Sequence, residues 1–296
     1  QKINELGICI MEPADILTYL KENKGSLSKR QKIISDYLTE NYDKAAYMTA
    51  AALSETVGVS ESTVVRFAAE IGFSGYQEMQ RCLRQITMTQ STSVKRMEIA
   101  SRQLGTGSVC DAVLKSDIRM IEQTMEELDR EQFDSAVDAV LKAENIYITG
   151  VRSAASLAAF ADFYFRLMFS NTRLINSADP ADMFEQVLHI GEKDVIIGMS
   201  FPRYSKNIIK LLEYANKKGA TVIGITDSVN SPLKKMSRYC LTARSDMDSF
   251  VDSLVAPFSV VNALIAALGM KHKMEISKTF EDLENIWDEY EVYDKE

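Results

Sequence analysis

Cysteine is scarce and scattered in this chain. Cys9, Cys82, Cys110 and Cys240 are its four cysteines, and no two of them form a C-x-x-C pair. That spacing argues against a disulfide framework and fits free thiols in a reducing, cytoplasmic setting. It also argues against structural zinc, because the only two histidines, His189 and His272, stand far from any cysteine. No metal and no cofactor is therefore expected. No apolar run reaches the length that crosses a bilayer, so no membrane partner is expected. The stretch Gln1–Met11 lacks a basic segment followed by an apolar one, so no secretory signal is read there, and residues 1–10 are given no function. A surplus of basic residues is missing as well. The net charge is −8 over 296 residues. Residues 1–105 carry 13 Lys+Arg and 12 Asp+Glu, whereas residues 106–296 carry 21 and 30. A near-neutral N-terminal third does not announce nucleic-acid binding by bulk charge, so any such role has to come from local geometry.

Hydrophobic residues make up 46% of the chain and charged residues 26%, which suits globular domains with substantial cores. The length favours two of them. The N-terminal third reads as helices only. Ile33, Ile34, Tyr37 and Leu38 recur at helical spacing behind Ser28, a candidate N-cap. Residues 87–110 are polar, β-branched or small at both ends and read as a linker around a short helix. Beyond it, helices are expected over 111–128 and 131–143. Five short apolar runs follow, at 145–150, 172–175, 194–199, 220–226 and 239–241, separated by helical stretches. That alternation predicts an open, doubly wound parallel sheet with ligands at the carboxyl ends of its strands. The expected organisation is an extension with a first helix over 1–27, a helix-turn-helix domain over 28–86, the linker over 87–110 and an α/β domain over 111–290.

Within the first domain, the segment from Ala50 to Ile71 has the spacing of a helix-turn-helix, with a first helix over about 49–57. Leu53 and Val57 share one helix face, and Gly58 suits the left-handed residue that ends a helix. Ser60 is placed to cap the next helix. Val64, Phe67, Ala68 and Ile71 form an inward stripe, and Ser60, Glu61, Ser62, Thr63 and Arg66 are left facing solvent. The N-terminal half of such a recognition helix meets bases and phosphates in the major groove. Ser60, Ser62, Thr63 and Arg66 are therefore the candidate DNA contacts, with Arg66 first because its guanidinium fork fits guanine or phosphate. Lys29, Arg30, Lys32, Lys44, Arg81 and Arg84 are candidate phosphate neutralisers. A helical hairpin with no DNA role has the same spacing.

In the second domain, three strand ends carry polar residues: Gly150-Val151-Arg152-Ser153, Ser200-Phe201-Pro202-Arg203-Tyr204-Ser205, and Thr226-Asp227-Ser228. Hydroxyls beside free helix N-terminal amides suit an anion. Ordinary helix caps look the same residue by residue. Arg152 and Arg203 are harder to explain as caps, because the helix dipole disfavours a cation at that end. Two helix faces, Ile118-Ile121-Met125 and 258–268, are candidate subunit contacts. Plain core is the alternative for both and is preferred for the second.

The run from Leu53 to Phe67, with Gly72-Phe73-Ser74-Gly75-Tyr76 after it, resembles the N-terminal domain of RpiR-type transcriptional regulators, which carry V-S-x-x-T-V-x-R-F and G-F-x-G-Y. The likeness runs from about Leu27 to Arg84. The second half, from about Phe133 to Lys273, resembles the SIS (sugar isomerase) domain. This implies an all-α helix-turn-helix domain followed by an α/β SIS domain, a double-stranded DNA operator, a phosphorylated sugar effector, no catalysis, and a homodimer or homotetramer. By position, Ser153, Ser200, Ser205 and Thr226 match the family's polar sites, and Arg152 and Arg203 join them as ligand contacts. The second loop departs from the isomerase signature S-x-S-G-x-T, with Pro202, Arg203 and Ser205 at its third, fourth and sixth positions. An isomerase also needs a base near the sugar C1–C2. Only His189 and the carboxylates of the 245–249 segment are on offer, so a phosphosugar isomerase with an appended helical domain is the rival reading. A binding module without DNA contact is the third.

Overall fold

The structure, a computed structural model, describes residues 15–90, 94, 97–98, 108–177, 179–245 and 251–293. The chain divides into two compact units, Gln1–Arg96 and Met97–Glu296.

The first unit is all-helical: α1 (Asp15–Glu22), α2 (Lys29–Ala45), α3 (Ala50–Val57), α4 (Glu61–Glu70) and α5 (Tyr76–Gln90). Side-chain caps set where three of these begin. Ser28 Oγ accepts from the Gln31 amide at 3.4 Å, and Gln31 Oε1 accepts from the Ser28 amide at 2.7 Å, which closes a capping box. Thr49 caps α3 and Ser60 caps α4. Ile16, Leu20, Ile34, Leu38, Leu53, Val64, Phe67, Met79 and Leu83 meet in one core. Ile34 and Leu38 face that core as the periodicity requires. Ile33, grouped with them in the sequence reading, is 47% exposed, because it lies one residue off the inward face. Helix α5 runs on to Gln90, past the end near residue 86 read from the sequence. Much of the polar stretch beyond it lies outside the described residues.

The second unit opens with α6 (Val109–Glu127) and α7 (Arg130–Leu141). The alternating part then runs β1 (Ile146–Gly150), α8 (Ala154–Met168), β2 (Thr172–Ile175), α9 (Pro180–Gln186), β3 (Val195–Met199), α10 (Lys206–Lys217), β4 (Thr221–Thr226), a 3-10 turn (Pro232–Lys235) and β5 (Tyr239–Thr242). It closes with α11 (Val255–Lys271) and α12 (Lys273–Glu289). The five strands lie in the order β2-β1-β3-β4-β5, and every pairing is parallel.

Strands β1 and β3 are buried at every residue, which is why they read as unbroken apolar runs rather than alternating ones. Residues of α7, α8 and α11 pack with Ile146, Ile148, Val195 and Ile197 on one face of the sheet. Residues of α9 and α10 pack with Tyr147, Ile196 and Val222 on the other. The segment 258–268 is core: Val260, Val261, Leu264 and Leu268 are buried. β2, at one edge, is four residues long and half exposed. No single helix among the described residues is long and apolar enough to cross a membrane.

From β1 the chain steps outward to β2, then crosses back over to β3 and on to β4. Successive connections therefore leave in opposite directions between β1 and β3. Such a switch point leaves a crevice at the carboxyl ends of the strands. Gly150 ends β1 at this crevice. A Cβ there would lie 2.5 Å from the Ala154 carbonyl oxygen, so α8 sits this close to the sheet only because the side chain is missing. Gly150→Ala is expected to lower stability by about 1–3 kcal/mol, the usual range for overpacking. Urea denaturation measures it, and an unchanged midpoint would contradict the close approach.

Candidate functional site

In the first unit, α3 ends at Gly58, whose φ of 69° and ψ of 37° are the left-handed values that glycine tolerates. The Val59 amide donates back to the Ser54 carbonyl at 3.0 Å, and the chain turns into α4. Ser60 Oγ accepts from the Thr63 amide at 3.3 Å and lies 2.7 Å from Thr63 Oγ1 and 3.0 Å from Ser62 Oγ. Val64, Phe67, Ala68 and Ile71 are all buried, as the stripe predicted. Ser60, Glu61, Ser62 and Arg66 are exposed. Arg66 Nε donates to the Ser62 carbonyl at 3.3 Å, which lays the guanidinium back toward the helix N-terminus.

Thr63, Arg84 and Val65 each stand in a way the sequence did not show. Thr63 is 9% exposed and turned into the cap with Ser60, so it shapes the start of α4 instead of facing outward. Arg84 is half-buried, donates through Nε to the Ala46 carbonyl at 2.9 Å and lies over the Tyr47 ring, so it has a packing role in this domain. Val65, absent from the candidates, is 41% exposed beside Arg66. An apolar residue off the inward stripe was its signal, and such a side chain suits a thymine methyl. Gln31 donates to Glu70, which sets the start of α2, with exposed Lys29 and Arg30, beside the end of α4. Tyr76 Oη and Gln80 Nε2 both donate to the Met48 carbonyl, at 2.7 and 2.6 Å, and fix α5 beneath α3. Burial pushes the Tyr76 hydroxyl up to about 12 against the opposing charge of Arg84, so it stays a donor.

In the second unit, the three polar loops leave the carboxyl ends of adjacent strands. Gly150, Met199 and Ile225 pair across the sheet, so residues 151–153, 200–205 and 226–228 share one rim. The 200–205 loop is tied to the end of β4. Thr226 Oγ1 donates to the Ser200 carbonyl at 2.8 Å, Tyr204 Oη donates to Asp227 Oδ1 at 2.8 Å, and the Ser200 amide donates to the Ile225 carbonyl at 3.2 Å. Ser200 Oγ accepts from the Ser205 amide at 3.1 Å, and Ser205 Oγ caps α10. Both hydroxyls thus accept from backbone and keep their O–H to donate.

The rim residues divide by exposure. Arg152, Ser153 and Arg203 are exposed, and Ser205 is half-buried. Ser200 is 5% exposed and Thr226 fully buried. Thr226, expected as a ligand contact, instead holds the Ser200 loop in place, because its hydroxyl lies inside, between the Ser200 carbonyl and Ser231 Oγ. The Ser153 side chain does not cap α8.

The two arginines share a property that sequence could not show. Arg152 has φ 59° and Arg203 φ 66°. Left-handed backbone costs a non-glycine residue roughly 1 kcal/mol or more. Arg203 stands at the glycine position of the isomerase signature, and its backbone is in the left-handed region that favours glycine. Neither arginine has an ion-pair partner among the described residues. Thr149, one residue before Gly150, was passed over in the sequence. Its buried Oγ1 has no hydrogen-bond partner, a state that costs about 1–3 kcal/mol.

The histidines stand elsewhere. His189 lies between α9 and the amino end of β3, and His272 follows α11, stacked on Phe169. Both positions are at the edge of the sheet opposite the rim. The segment 246–249, which holds the remaining candidate base carboxylates, lies outside the described residues. A polar cavity of about 450 Å³, lined by Lys142, Glu192 and Arg238 among others, is also at the amino edge and away from the loops. Among the described residues no group of His, Cys, Asp and Glu is arranged to hold a metal. Burial pushes the Cys240 thiol up to about 11, which makes it an unreactive core residue.

A capped helix-turn-helix joined to a five-stranded parallel domain with a polar switch-point rim defines the class. Residues 14–90 match the family model described as helix-turn-helix domain, rpiR family, and residues 140–267 match the SIS domain model. The chain belongs to the RpiR-type regulators, with an SIS domain as its second half. An uncharacterized HTH-type transcriptional regulator of Clostridium perfringens is 26% identical over 231 residues, 78% of this chain and 82% of that protein. The sugar isomerase domain of an RpiR transcription factor from Sphaerobacter thermophilus has a TM-score of 0.58 at 21% identity, and covers 60% of this chain and 99% of its own. The Vibrio vulnificus NanR protein complexed with ManNAc-6P has a TM-score of 0.59 at 21% identity, over 93% of this chain and 98% of that one.

Thr226→Val keeps the shape and removes the donor to the Ser200 carbonyl. The expected loss of stability is about 1–2 kcal/mol. Differential scanning calorimetry checks it, and an unshifted transition would argue that the tie is dispensable.

Proposed function

We propose that this chain is a cytoplasmic DNA-binding transcriptional regulator, not an enzyme, whose operator affinity is set by a phosphorylated sugar at the SIS rim. The observation that carries the reading is the pair of exposed rim arginines held in left-handed backbone at the ends of adjacent strands. Such conformations persist where function requires them. A phosphate ester carries close to two negative charges, and it offsets both guanidiniums at a helix-terminus rim. The phosphosugar class is supported by the NanR structure, whose ligand is ManNAc-6P. On the DNA side, Ser62, Val65 and Arg66 form the outward face of α4, suited to a major groove. The absence of catalysis is supported by the position of both histidines away from the rim and by the altered second loop.

A homodimer or homotetramer follows from the same reading. Two recognition helices have to meet half-sites about one helical turn apart, or a multiple of that. The effector acts by preferring one arrangement of the pair, and only through unequal affinity for the two.

Gel shift on the gene's own upstream region, at stated salt, with and without a panel of sugar phosphates, tests the whole. A coupled assay on the same sugars tests the isomerase alternative, and turnover at ordinary enzymatic rates defeats the regulator reading. Arg66→Ala is expected to weaken operator binding by about 1–3 kcal/mol with an unchanged circular dichroism spectrum. Arg203→Gly is expected to raise the ligand-free Tm slightly, by relieving the left-handed strain, while abolishing the thermal shift given by the effector. An Arg203→Gly variant that keeps the effector shift would remove the arginine from the site.

A further inference from the structure

Helix α6 is buried along one face and carries an apolar stripe on another that the domain does not cover. Ser116, Met120 and Thr124 point inward and are buried. The inward side is also held by polar bonds. Thr124 Oγ1 accepts from the Arg244 amide at 2.9 Å, Glu127 pairs with Arg244, and Asp117 Oδ1 accepts from Ser253 Oγ at 2.7 Å. On the opposite side, Leu114 is 56% exposed, Ile118 56%, Ile121 38% and Met125 60%. These four are spaced by four, three and four residues. That is the a/d rhythm of a helix meeting another helix. A large aliphatic group at each such position gains nothing in water.

We propose that this stripe is the subunit contact, with α6 of one chain packed antiparallel on α6 of a second copy. The occupant and its direction are read from the charges beside the stripe. Lys115 and Glu122 flank it on one side, and neither has an ion-pair partner among the described residues. In the register that sets Ile118 against Ile121 of the second copy, Leu114 meets Met125. Two-fold symmetry then brings Lys115 opposite Glu122 of the second copy, twice. A parallel pair instead sets Lys115 beside Cys110 of the second copy and leaves Glu122 without a cation opposite it. The antiparallel face is self-complementary in shape and in charge, as a two-fold contact has to be.

The inference rests on the regulator reading only for its expectation of a homodimer, and its test is separate from operator binding. Sedimentation velocity and light scattering on the full chain compare wild type, Ile118→Glu, Lys115→Glu, Glu122→Lys and the Lys115→Glu/Glu122→Lys double variant. Ile118 is exposed, so the fold is expected to survive, and the charge variants leave the apolar stripe untouched. Ile118→Glu is expected to halve the mass of the two-fold unit. Each single reversal is expected to weaken association about tenfold, and the double reversal to restore it. Cys110 is exposed at the start of α6. In the antiparallel register the two copies of Cys110 lie roughly 28 Å apart, at a rise of about 1.5 Å per residue. In a Cys9→Ser background, oxidation is therefore expected to give no linked dimer. A monomeric wild type, an Ile118→Glu variant that associates as wild type does, a double variant no better than the singles, or a Cys110 cross-link each overturns the proposal. A wild type that binds operator while its dimer ignores the α6 substitutions keeps the regulator reading and discards this contact.

Discussion

The second half of the molecule depends on one constraint: a parallel sheet whose central strands are buried on both faces. The carboxyl ends of these strands then become the place where chain can leave the core without burying unpaired backbone groups. Reversal of strand order between β1 and β3 makes an opening there, and hydrogen bonds from β4 brace the 200–205 loop on one side of it. Arg152 sits on the other side, at the end of β1. Without the tie between Thr226 and Ser200, the serine loop would have one support fewer exactly where a ligand needs a fixed surface. The helix-turn-helix obeys a similar logic on a smaller scale, since Phe67 and Val64 anchor α4 so that its opposite face is free.

Much of this was legible in the residues. Strand positions were clear because fully buried strands are short apolar runs between glycine or polar turns, and the structure moves their ends by one residue or less. The caps at Ser28 and Ser60 were legible because small hydroxyl residues precede those helical periods, whereas Thr49, read as the first residue of its helix, proves to be the cap of α3. What sequence could not supply was depth. Thr63, Ser200 and Thr226 look like any other hydroxyl at a helix start or strand end. Whether such a group faces water or braces a neighbouring loop depends on partners distant in the chain, as with Thr226 and Ser200. The left-handed backbone at Arg152 and Arg203 was hidden for a related reason. Sequence signals that conformation through glycine, and here arginine occupies the position.

Arg84 gives the same lesson for charge. A basic residue near a DNA-reading motif invites an electrostatic role, and only the fold shows that Ala46 and Tyr47 also engage it in packing. Val65 errs in the other direction, an aliphatic side chain that the fold leaves outside.

The edges of the sheet carry a consequence for how copies of the chain can meet. β2 is only four residues long, half exposed, with Arg173 laid over the Tyr147 ring, and β5 is flanked by α7, whose Gln132 accepts from the Cys240 amide. Short or occupied rims of this kind discourage a neighbouring chain from continuing the ladder. Growth by strand addition, the usual route to open-ended fibres, is therefore disfavoured, and association is left to helical surfaces that close on themselves.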